Sequence, residues 1–250
     1  AGGELRVASY NVHKCVGVDG RFDPGRVAAV IAELGADVVA VQEADRRFGR
    51  RSGLLDAAAL RREGGLTLLR VSELPDGHGW HGNAILVRDE GGEVARTARL
   101  RRLKLPGAEP RGAVIAELRL PCGPLRVVAA HFGLLRRCRS RQAAVVLEAV
   151  AQGEPMPTLL MGDLNEWRPS RFSALRSLEP VFGPVGGSPR SFPAQRPVLS
   201  LDRILGWPRG LVREVEAHDS PLARLASDHL PLRARLDLAA VTAAAMADAA

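Results

Sequence analysis

The sequence predicts an α/β fold in which β-sheets are covered by helices. Short strand-like runs alternate with helical segments, and several of the strands are apolar at every position, as in residues 38–41. Strands without polar positions are buried on both faces, which argues against an exposed sandwich. No shift in composition marks a boundary, so residues 1–238 are expected to form one domain, followed by an Ala-rich tail at 239–250. Periodicity leaves open whether the strands form two packed sheets or one large mixed sheet.

The helices are predicted from apolar spacing and capping residues. Asp23 supplies an N-cap, Pro24 suits the first helical position, and an apolar stripe then runs to Gly35. The other predicted helices span residues 54–63, 140–151 and 170–178.

The strands are predicted from alternating or continuous apolar runs bounded by Gly and Pro. Residues 5–10 alternate apolar and polar side chains, whereas residues 37–43 form a short, mostly apolar run. The other predicted strands span residues 66–71, 83–87, 113–120, 125–130, 158–161, 201–205 and 230–236.

The composition is that of an ordinary globular chain with an excess of arginine. The formal net charge is +7, and only Lys14 and Lys104 among the 35 basic residues are lysines. Positive charge favours a polyanionic partner, although a bias in the coding DNA would give the same arginine excess. No apolar run reaches the roughly 18 residues of a membrane span. The first residues lack the features of a signal peptide, so the chain is expected in the cytoplasm, as a monomer.

Polar residues that bind metals or protons stand at the ends of the apolar strands. They are Asn11, Glu43, His131, Asp163, Asn165, Asp202, Asp228 and His229. Each alone could be a turn residue, but eight placed this way indicate one cleft at a rim of the sheets. Oxygen donors dominate the set, which suits Mg²⁺ or Mn²⁺, and the scattered cysteines and the lack of an HExxH motif argue against zinc. A hard cation beside a carboxylate–histidine pair suits phosphodiester hydrolysis. The sequence contains no motif typical of acyl transfer or of nucleotide-cofactor binding.

The same segments, in the same order, resemble the endonuclease/exonuclease/phosphatase superfamily, which has the DNase I-like fold. The similarity covers roughly residues 5–238. The motifs that carry it are Ser9-Tyr10-Asn11-Val12-His13, Val41-Gln42-Glu43, Gly82-Asn83-Ala84-Ile85-Leu86, Arg111-Gly112-Ala113, Ala130-His131-Phe132-Gly133, Gly162-Asp163-Leu164-Asn165, Leu201-Asp202-Arg203-Ile204 and Ser227-Asp228-His229-Leu230-Pro231. The resemblance implies a four-layer α/β-β/α sandwich of two packed mixed β-sheets flanked by helices. It also implies a metal-dependent phosphodiesterase with its site at one rim.

The resemblance also implies roles for the metal-binding and water-activating residues. Glu43 is expected to bind Mg²⁺ (or Mn²⁺), with Asn11 and Asp228 as further metal-binding residues. Asp163 is expected to orient the attacking water. Asn165 lies beside it as a second catalytic residue.

The histidines and the remaining polar residues are expected around the phosphate. His229, held by Asp202, would stabilise the phosphate or assist proton transfer, and His131 would contact the scissile phosphate from the other side. Arg111 and Asn83 are candidates for substrate contact. The alternative for Arg111 is a surface arginine, and for Asn83 a structural turn residue.

The resemblance fixes the reaction better than the substrate. Nucleic acid is favoured by two basic clusters, namely Arg96, Arg99, Arg101, Arg102 and Lys104, and Arg136, Arg137, Arg139 and Arg141. The alternative enzyme acts on phosphoinositide or phospholipid head groups, since residues 191–194 are faintly similar to a segment of the inositol phosphatases. A more remote alternative is a non-catalytic nucleic-acid-binding module, which would have lost acids and histidines that this chain keeps.

Overall fold

Twelve strands and five α-helices make up the computed structural model, which describes residues 4–90, 93–94, 96–168 and 170–238. The strands are β1 (Glu4–Asn11), β2 (Val38–Gln42), β3 (Leu66–Leu68), β4 (Ala84–Glu90), β5 (Glu93–Val94), β6 (Arg96–Leu105), β7 (Arg111–Leu120), β8 (Gly123–His131), β9 (Thr158–Asp163), β10 (Asp202–Trp207), β11 (Val212–Ala217) and β12 (Leu232–Asp237). The helices are α1 (Pro24–Glu33), α2 (Ala57–Gly64), α3 (Arg136–Ala151), α4 (Glu179–Phe182) and α5 (Pro221–Ala226).

The strands form two mixed sheets rather than one. The first has seven strands in the order β11-β12-β1-β2-β4-β3, with β5 paired to β4, and the second has five in the order β10-β9-β8-β7-β6. Apolar side chains of both sheets meet in one buried cluster, while α1, α2 and α5 cover the outer face of the first sheet and α3 and α4 that of the second. The predicted four-layer sandwich is confirmed, and the choice between two sheets and one is resolved.

Strand β2 shows why some strands are apolar throughout. Val38 and Ala40 point into the layer between the sheets, whereas Val39 and Val41 point toward the outer helices. Because successive side chains of a strand face opposite sides, a central strand of this sandwich is buried on both faces.

Several elements differ from the sequence prediction. Strand β6 and strand β11 were not predicted, because they lie at sheet edges and carry polar side chains at six of ten and three of six positions, respectively. The predicted helix over residues 170–178 is instead two short 3₁₀ turns followed by α4, whose first turn contains Pro180. Helix α5 was missed although Ser220 caps it and Pro221 begins it. The Ala-rich tail predicted at 239–250 lies outside the described residues.

The strand pairings bring several strand ends to one rim. In the second sheet, His131 lies opposite Asp163, and Asp163 lies opposite Asp202. In the first sheet, Asn11 lies opposite Gln42, the last residue before Glu43. Among the helices of the described ranges, none is long and apolar enough to cross a bilayer, and the longest, α3, has 16 residues.

Candidate active site

Three neighbouring strands of the second sheet present His131, Asp163 and Asp202 side by side. All three side chains are buried, and His131 Nε2 lies 3.4 Å from Asp163 Oδ2. The row depends on Gly162, whose φ is +150° and where an added Cβ would overlap the carbonyl oxygen of Ala130. Only glycine fits such a close backbone approach. The sequence Gly162-Asp163 therefore allows β9 to carry its carboxylate to the rim.

His229 lies between the carboxylates of Asp202 and Asp163. Its Nδ1 is 2.8 Å from Asp202 Oδ2 and its Nε2 is 3.7 Å from Asp163 Oδ2. The Phe192 ring packs against the imidazole with 4.9 Å between the ring centroids. Burial opposes the charge, but Asp202 and Asp163 outweigh it and raise the pKa of His229 to about 10. The group is an imidazolium at neutral pH.

Ser191 is a member of this network that was not among the predicted site residues. Its Oγ donates a hydrogen bond of 2.5 Å to the same Asp202 oxygen that faces His229. Ser191 is fully buried and is held by backbone hydrogen bonds to Leu199 and Leu230. The only sequence signal was its place in the segment 191–194, which pointed to a substrate class rather than to a contact.

Asp163 is held as a buried carboxylate with defined partners. Asn11 Nδ2 donates to its Oδ2 at 3.0 Å, and the backbone N–H of Asn165 donates to its Oδ1 at 2.9 Å. Burial is the main reason that the pKa of Asp163 is raised to about 6. The Asn165 amide donates to the Phe132 carbonyl at 2.9 Å, which fixes the loop after β9 to the end of β8. A carboxylate with this pKa is ionised at neutral pH and can accept a proton from water.

Glu43 follows β2 and contacts a turn formed by residues 13–15. Lys14 Nζ lies 2.6 Å from Glu43 Oε2, and although burial opposes it, this ion pair lowers the pKa of Glu43. His13 of the same turn lies 3.9 Å from the half-buried Asp228, and its N–H donates to Asn11 Oδ1. The turn thus contacts all three residues predicted to bind metal.

Two groups of side chains at this rim could hold a cation. Ligand atoms of Asp163, Asp202 and His229 lie within 4.8 Å of one another. In that group, however, both ring nitrogens already face carboxylates, and an imidazolium has no lone pair for a metal. At Glu43 the carboxylate already faces a cation, the Lys14 ammonium, and the other two residues predicted to bind metal, Asn11 and Asp228, carry side-chain oxygens. The residues around Glu43 therefore fit Mg²⁺ better than the Asp163 group does.

Arg111 is buried beside His131 rather than on the surface. Its Nη1 lies 2.7 Å from His131 Nε2, and its Nη2 donates to Glu109 Oε2 at 2.8 Å. Burial, followed by the Arg111 charge, holds the pKa of His131 well below its usual value. His131 is therefore a neutral imidazole whose Nε2 accepts a hydrogen bond from Arg111.

Asn83 does not join the other candidate residues. Its amide nitrogen donates to the carbonyl oxygens of Gly112 at 2.9 Å and Trp80 at 3.2 Å, and its side chain is fully buried. These bonds tie the turn at residues 80–83 to the start of β7. They position this turn, whose residues 80–82 line a cleft beside the rim. Within the described ranges, Asn83 has no hydrogen bond to His131, Asp163, Asp202 or His229.

A cleft of about 250 Å³ opens beside this rim. Its lining includes Glu43, Arg111 and His131 together with Lys14, Arg46 and Arg51. The loop at residues 46–51 was missed as a site element, although it begins only three residues after Glu43 in the sequence.

Neither of the two basic clusters predicted from the sequence keeps all of its arginines on one surface. In β6, Arg101 donates a hydrogen bond to the carbonyl of Ala149 in α3, whereas its neighbour Arg102 donates to the carbonyl of Val71. These two arginines therefore lie on opposite faces of the strand. Arg139 of the second cluster is fully buried and lies 3.4 Å from the fully buried Glu166. Arg139 lies on the buried face of α3, which the spacing of the arginines along the chain did not indicate.

Comparison with known proteins agrees with this geometry. The model of the Endonuclease/Exonuclease/phosphatase family matches residues 8–229. The uncharacterized protein YbhP of Escherichia coli K12 is 34% identical over an alignment of 184 residues that covers 68% of this chain and 67% of that protein. An endonuclease/exonuclease/phosphatase from Beutenbergia cavernae has 23% identity and a TM-score of 0.68 over 93% of this chain and 71% of that one. Danio rerio TDP2 complexed with a single-strand DNA product has 17% identity and a TM-score of 0.63 over 93% and 98%. The chain belongs to the endonuclease/exonuclease/phosphatase family.

Proposed function

We propose that the chain is a Mg²⁺-dependent phosphodiesterase that hydrolyses nucleic acid. The observation that carries the proposal is the buried row of His131, Asp163 and Asp202, completed by the His229 imidazolium and joined to the first sheet through Asn11. This row combines a proton acceptor with a fixed positive charge in one buried site, which is the pairing that phosphoester hydrolysis requires.

Each residue then has a role that follows from its contacts. Glu43, Asn11 and Asp228 would hold Mg²⁺, and the bound ion would neutralise charge on the phosphate oxygens. Asp163 accepts the proton of the attacking water, in a position set by its hydrogen bonds from Asn11 and Asn165.

His229 and Arg111 would act on the phosphate, and His131 accepts a hydrogen bond from Arg111. The His229 imidazolium, held by Asp202, donates a hydrogen bond to a phosphate oxygen or to the leaving oxygen. Arg111 and His131 line the adjoining cleft, where the guanidinium would offset phosphate charge.

Nucleic acid is the substrate class that the charges support best. The chain has a net charge of +7, and the cleft beside the proposed site is lined by Lys14, Arg46, Arg51 and Arg111. Phosphate backbones bind to such surfaces through counterion release. The similarity to TDP2, which is complexed with a single-strand DNA product, is in keeping with this substrate class.

Phosphoinositide or phospholipid head groups are the second candidate. The large apolar side chains of Leu134, Leu135 and Phe172 are 57%, 45% and 52% exposed around the start of α3. Arg136 donates to the Phe172 carbonyl, so these side chains lie near one another and beside arginines. Exposed apolar side chains with a basic rim suit an anionic lipid surface.

The test is hydrolysis by the purified protein in Mg²⁺. Substrates are plasmid DNA, RNA, an abasic duplex, bis-p-nitrophenyl phosphate and phosphoinositide vesicles, each repeated in EDTA. Asp163→Asn is the inactive variant, and Asp219→Asn is its matched control because Asp219 is exposed and pairs with Arg224 on the surface. We expect EDTA and Asp163→Asn to abolish cleavage of nucleic acid, while Asp219→Asn retains it.

The remaining outcomes distinguish the alternatives. Cleavage of head groups alone would favour the second candidate. Tight nucleic-acid binding without cleavage of any substrate would favour a non-catalytic module. Equal residual rates for wild type and Asp163→Asn would refute the proposed enzyme. A monomeric state and a cytoplasmic location stay predictions, checked by light scattering and by fractionation of cells that produce the protein.

A further inference from the structure

The loop at residues 46–51 carries four arginines and one phenylalanine beside the proposed site. Its base is closed by a β-bridge between Asp45 and Gly53 and by a 2.9 Å hydrogen bond from the Arg46 N–H to the Ser52 carbonyl. The buried Asp45 carboxylate accepts hydrogen bonds from the N–H groups of His78 and Gly79 at 2.7 and 2.9 Å. The loop is therefore anchored at both ends to the wall of the cleft.

Two arginines of this loop lack counter-ions. Arg46 and Arg51 line the cleft, yet neither side chain has an ion pair or hydrogen bond within the described part of the chain. The acids that line the cleft are already engaged, since Asp45 holds the loop, Glu43 pairs with Lys14 and Glu73 pairs with Arg102. Glu109, next to the loop, pairs with both Arg47 and Arg111. Two uncompensated guanidinium groups in one cleft favour an anionic ligand.

The anion that they would bind is separate from the scissile phosphate. Arg111 and His131, at the proposed catalytic end of the cleft, are in contact with each other. Arg46 and Arg51 line the same cleft and, among the described residues, have no hydrogen bond to that pair. The volume of about 250 Å³ leaves room beyond one phosphate group. A phosphodiester chain supplies phosphates at regular spacing, and each phosphate can be neutralised by its own arginine.

The phenylalanine indicates which phosphate-bearing ligand is bound. Phe48 is 73% exposed, and the Arg47 guanidinium lies 5.7 Å from its ring centroid. An exposed ring beside arginines is the surface on which unpaired bases stack while their phosphates are neutralised. A phosphorylated head group would use the arginines but would leave the ring without a stacking partner.

We propose that the arginine loop, residues 46–51, binds single-stranded nucleic acid next to the scissile phosphate. Arg46 and Arg51 each contact a flanking phosphate, and Phe48 stacks on a neighbouring base. This proposal rests on the proposed function for its substrate class, but binding can be measured without hydrolysis.

The experiment measures binding by the intact chain carrying Asp163→Asn, in EDTA, so that no cleavage occurs. A fluorescein-labelled ten-nucleotide oligothymidylate is titrated at several salt concentrations and followed by anisotropy. The test variant adds Arg46→Ala and Arg51→Ala. The control adds Arg62→Ala and Arg213→Ala, which removes the same charge from side chains that are 66% and 61% exposed and do not line the cleft.

We expect the test variant to bind on the order of tenfold or more weakly than its parent. The slope of log affinity against log salt should become shallower by about 1.4, at roughly 0.7 for each phosphate charge that the variant no longer neutralises. Phe48→Ala should weaken binding on the order of tenfold while the salt slope stays unchanged, because stacking releases no counterions.

Three results would overturn the proposal. The first is an unchanged affinity in the test variant, and the second is an equal loss in the control, which would mean that net charge alone drives binding. The third is a loss of binding to vesicles of phosphatidylcholine and phosphatidylserine without a loss for the oligonucleotide, which would make the loop a membrane contact. Failure of the proposed function gives a different result, namely no turnover of any substrate by the wild type.

Discussion

Replacing Asp202 by asparagine should shift the balance between the charged and neutral forms of His229. The substitution keeps the shape of the side chain but removes the charge that lies 2.8 Å from His229 Nδ1. In the wild type, Asp202 and Asp163 overcome burial and raise the pKa of His229 from 6.5 to about 10. That rise corresponds to about 5 kcal/mol in favour of the imidazolium, at roughly 1.4 kcal/mol per pH unit.

The variant should lose the imidazolium near neutral pH, because burial still disfavours the charge while Asp202, the carboxylate that offsets burial most, has lost its charge. If the imidazolium acts on the phosphate, kcat at pH 8 should fall by about 10²–10⁴. The assay is hydrolysis of bis-p-nitrophenyl phosphate in Mg²⁺ from pH 5 to 10. We expect the alkaline limit of activity to move to lower pH. The acid limit, near the wild-type pKa of about 6 for Asp163, should not move to lower pH, because the loss of the His229 charge, which lowers that pKa, outweighs the loss of Asp202, which raises it.

Stability provides a readout that does not depend on catalysis. A group whose pKa is raised by folding stabilises the protein fully below its unfolded pKa, and this contribution is lost as the pH rises through the folded pKa. For His229 the window runs from pH 6.5 to about 10, whereas for Asp163 it runs from 3.8 to about 6. Urea unfolding should show a decrease of about 5 kcal/mol across the upper window in the wild type and a much smaller one in Asp202→Asn. Superimposable pH profiles of activity and stability for the two proteins would refute the reasoning.

Three further substitutions test other features of the fold and the site. Glu166→Gln leaves the fully buried Arg139 uncompensated and should lower the free energy of unfolding in urea by about 3–5 kcal/mol, whereas a change below about 1 kcal/mol would contradict the buried pairing. Gly162→Ala drives a Cβ into the Ala130 carbonyl oxygen, so the thermal transition should fall by an amount equivalent to at least about 2 kcal/mol, and a wild-type melting curve would show that the strands approach less closely. Glu43→Gln should weaken Mg²⁺ binding in calorimetry on the order of tenfold or more, and unchanged affinity would move the metal site elsewhere.

The sequence predicted much of the fold because burial on both faces leaves a clear local pattern. Strand β2 has no polar side chain before Gln42, and Asp23 with Pro24 begins α1 as predicted. Edge strands lack such a pattern, since one side of the strand faces solvent and tolerates polar residues. Strand β6, with basic residues at five of its ten positions, therefore resembles a charged surface segment when only the sequence is considered.

The amino-acid sequence by itself determined which chemical groups stand at strand ends, because a strand places its last residue at a rim of the sheet whichever strands pair with it. Only the tertiary structure decided which groups meet. Asn11 reaches Asp163 across 152 residues, and Ser191 reaches Asp202 through a loop with no periodic pattern. Arg139 turns inward while Arg46 faces the cleft, although both are arginines shortly after a predicted site residue. Pairings of this kind depend on sheet register and loop path, which are set by the packing of distant segments rather than by local sequence.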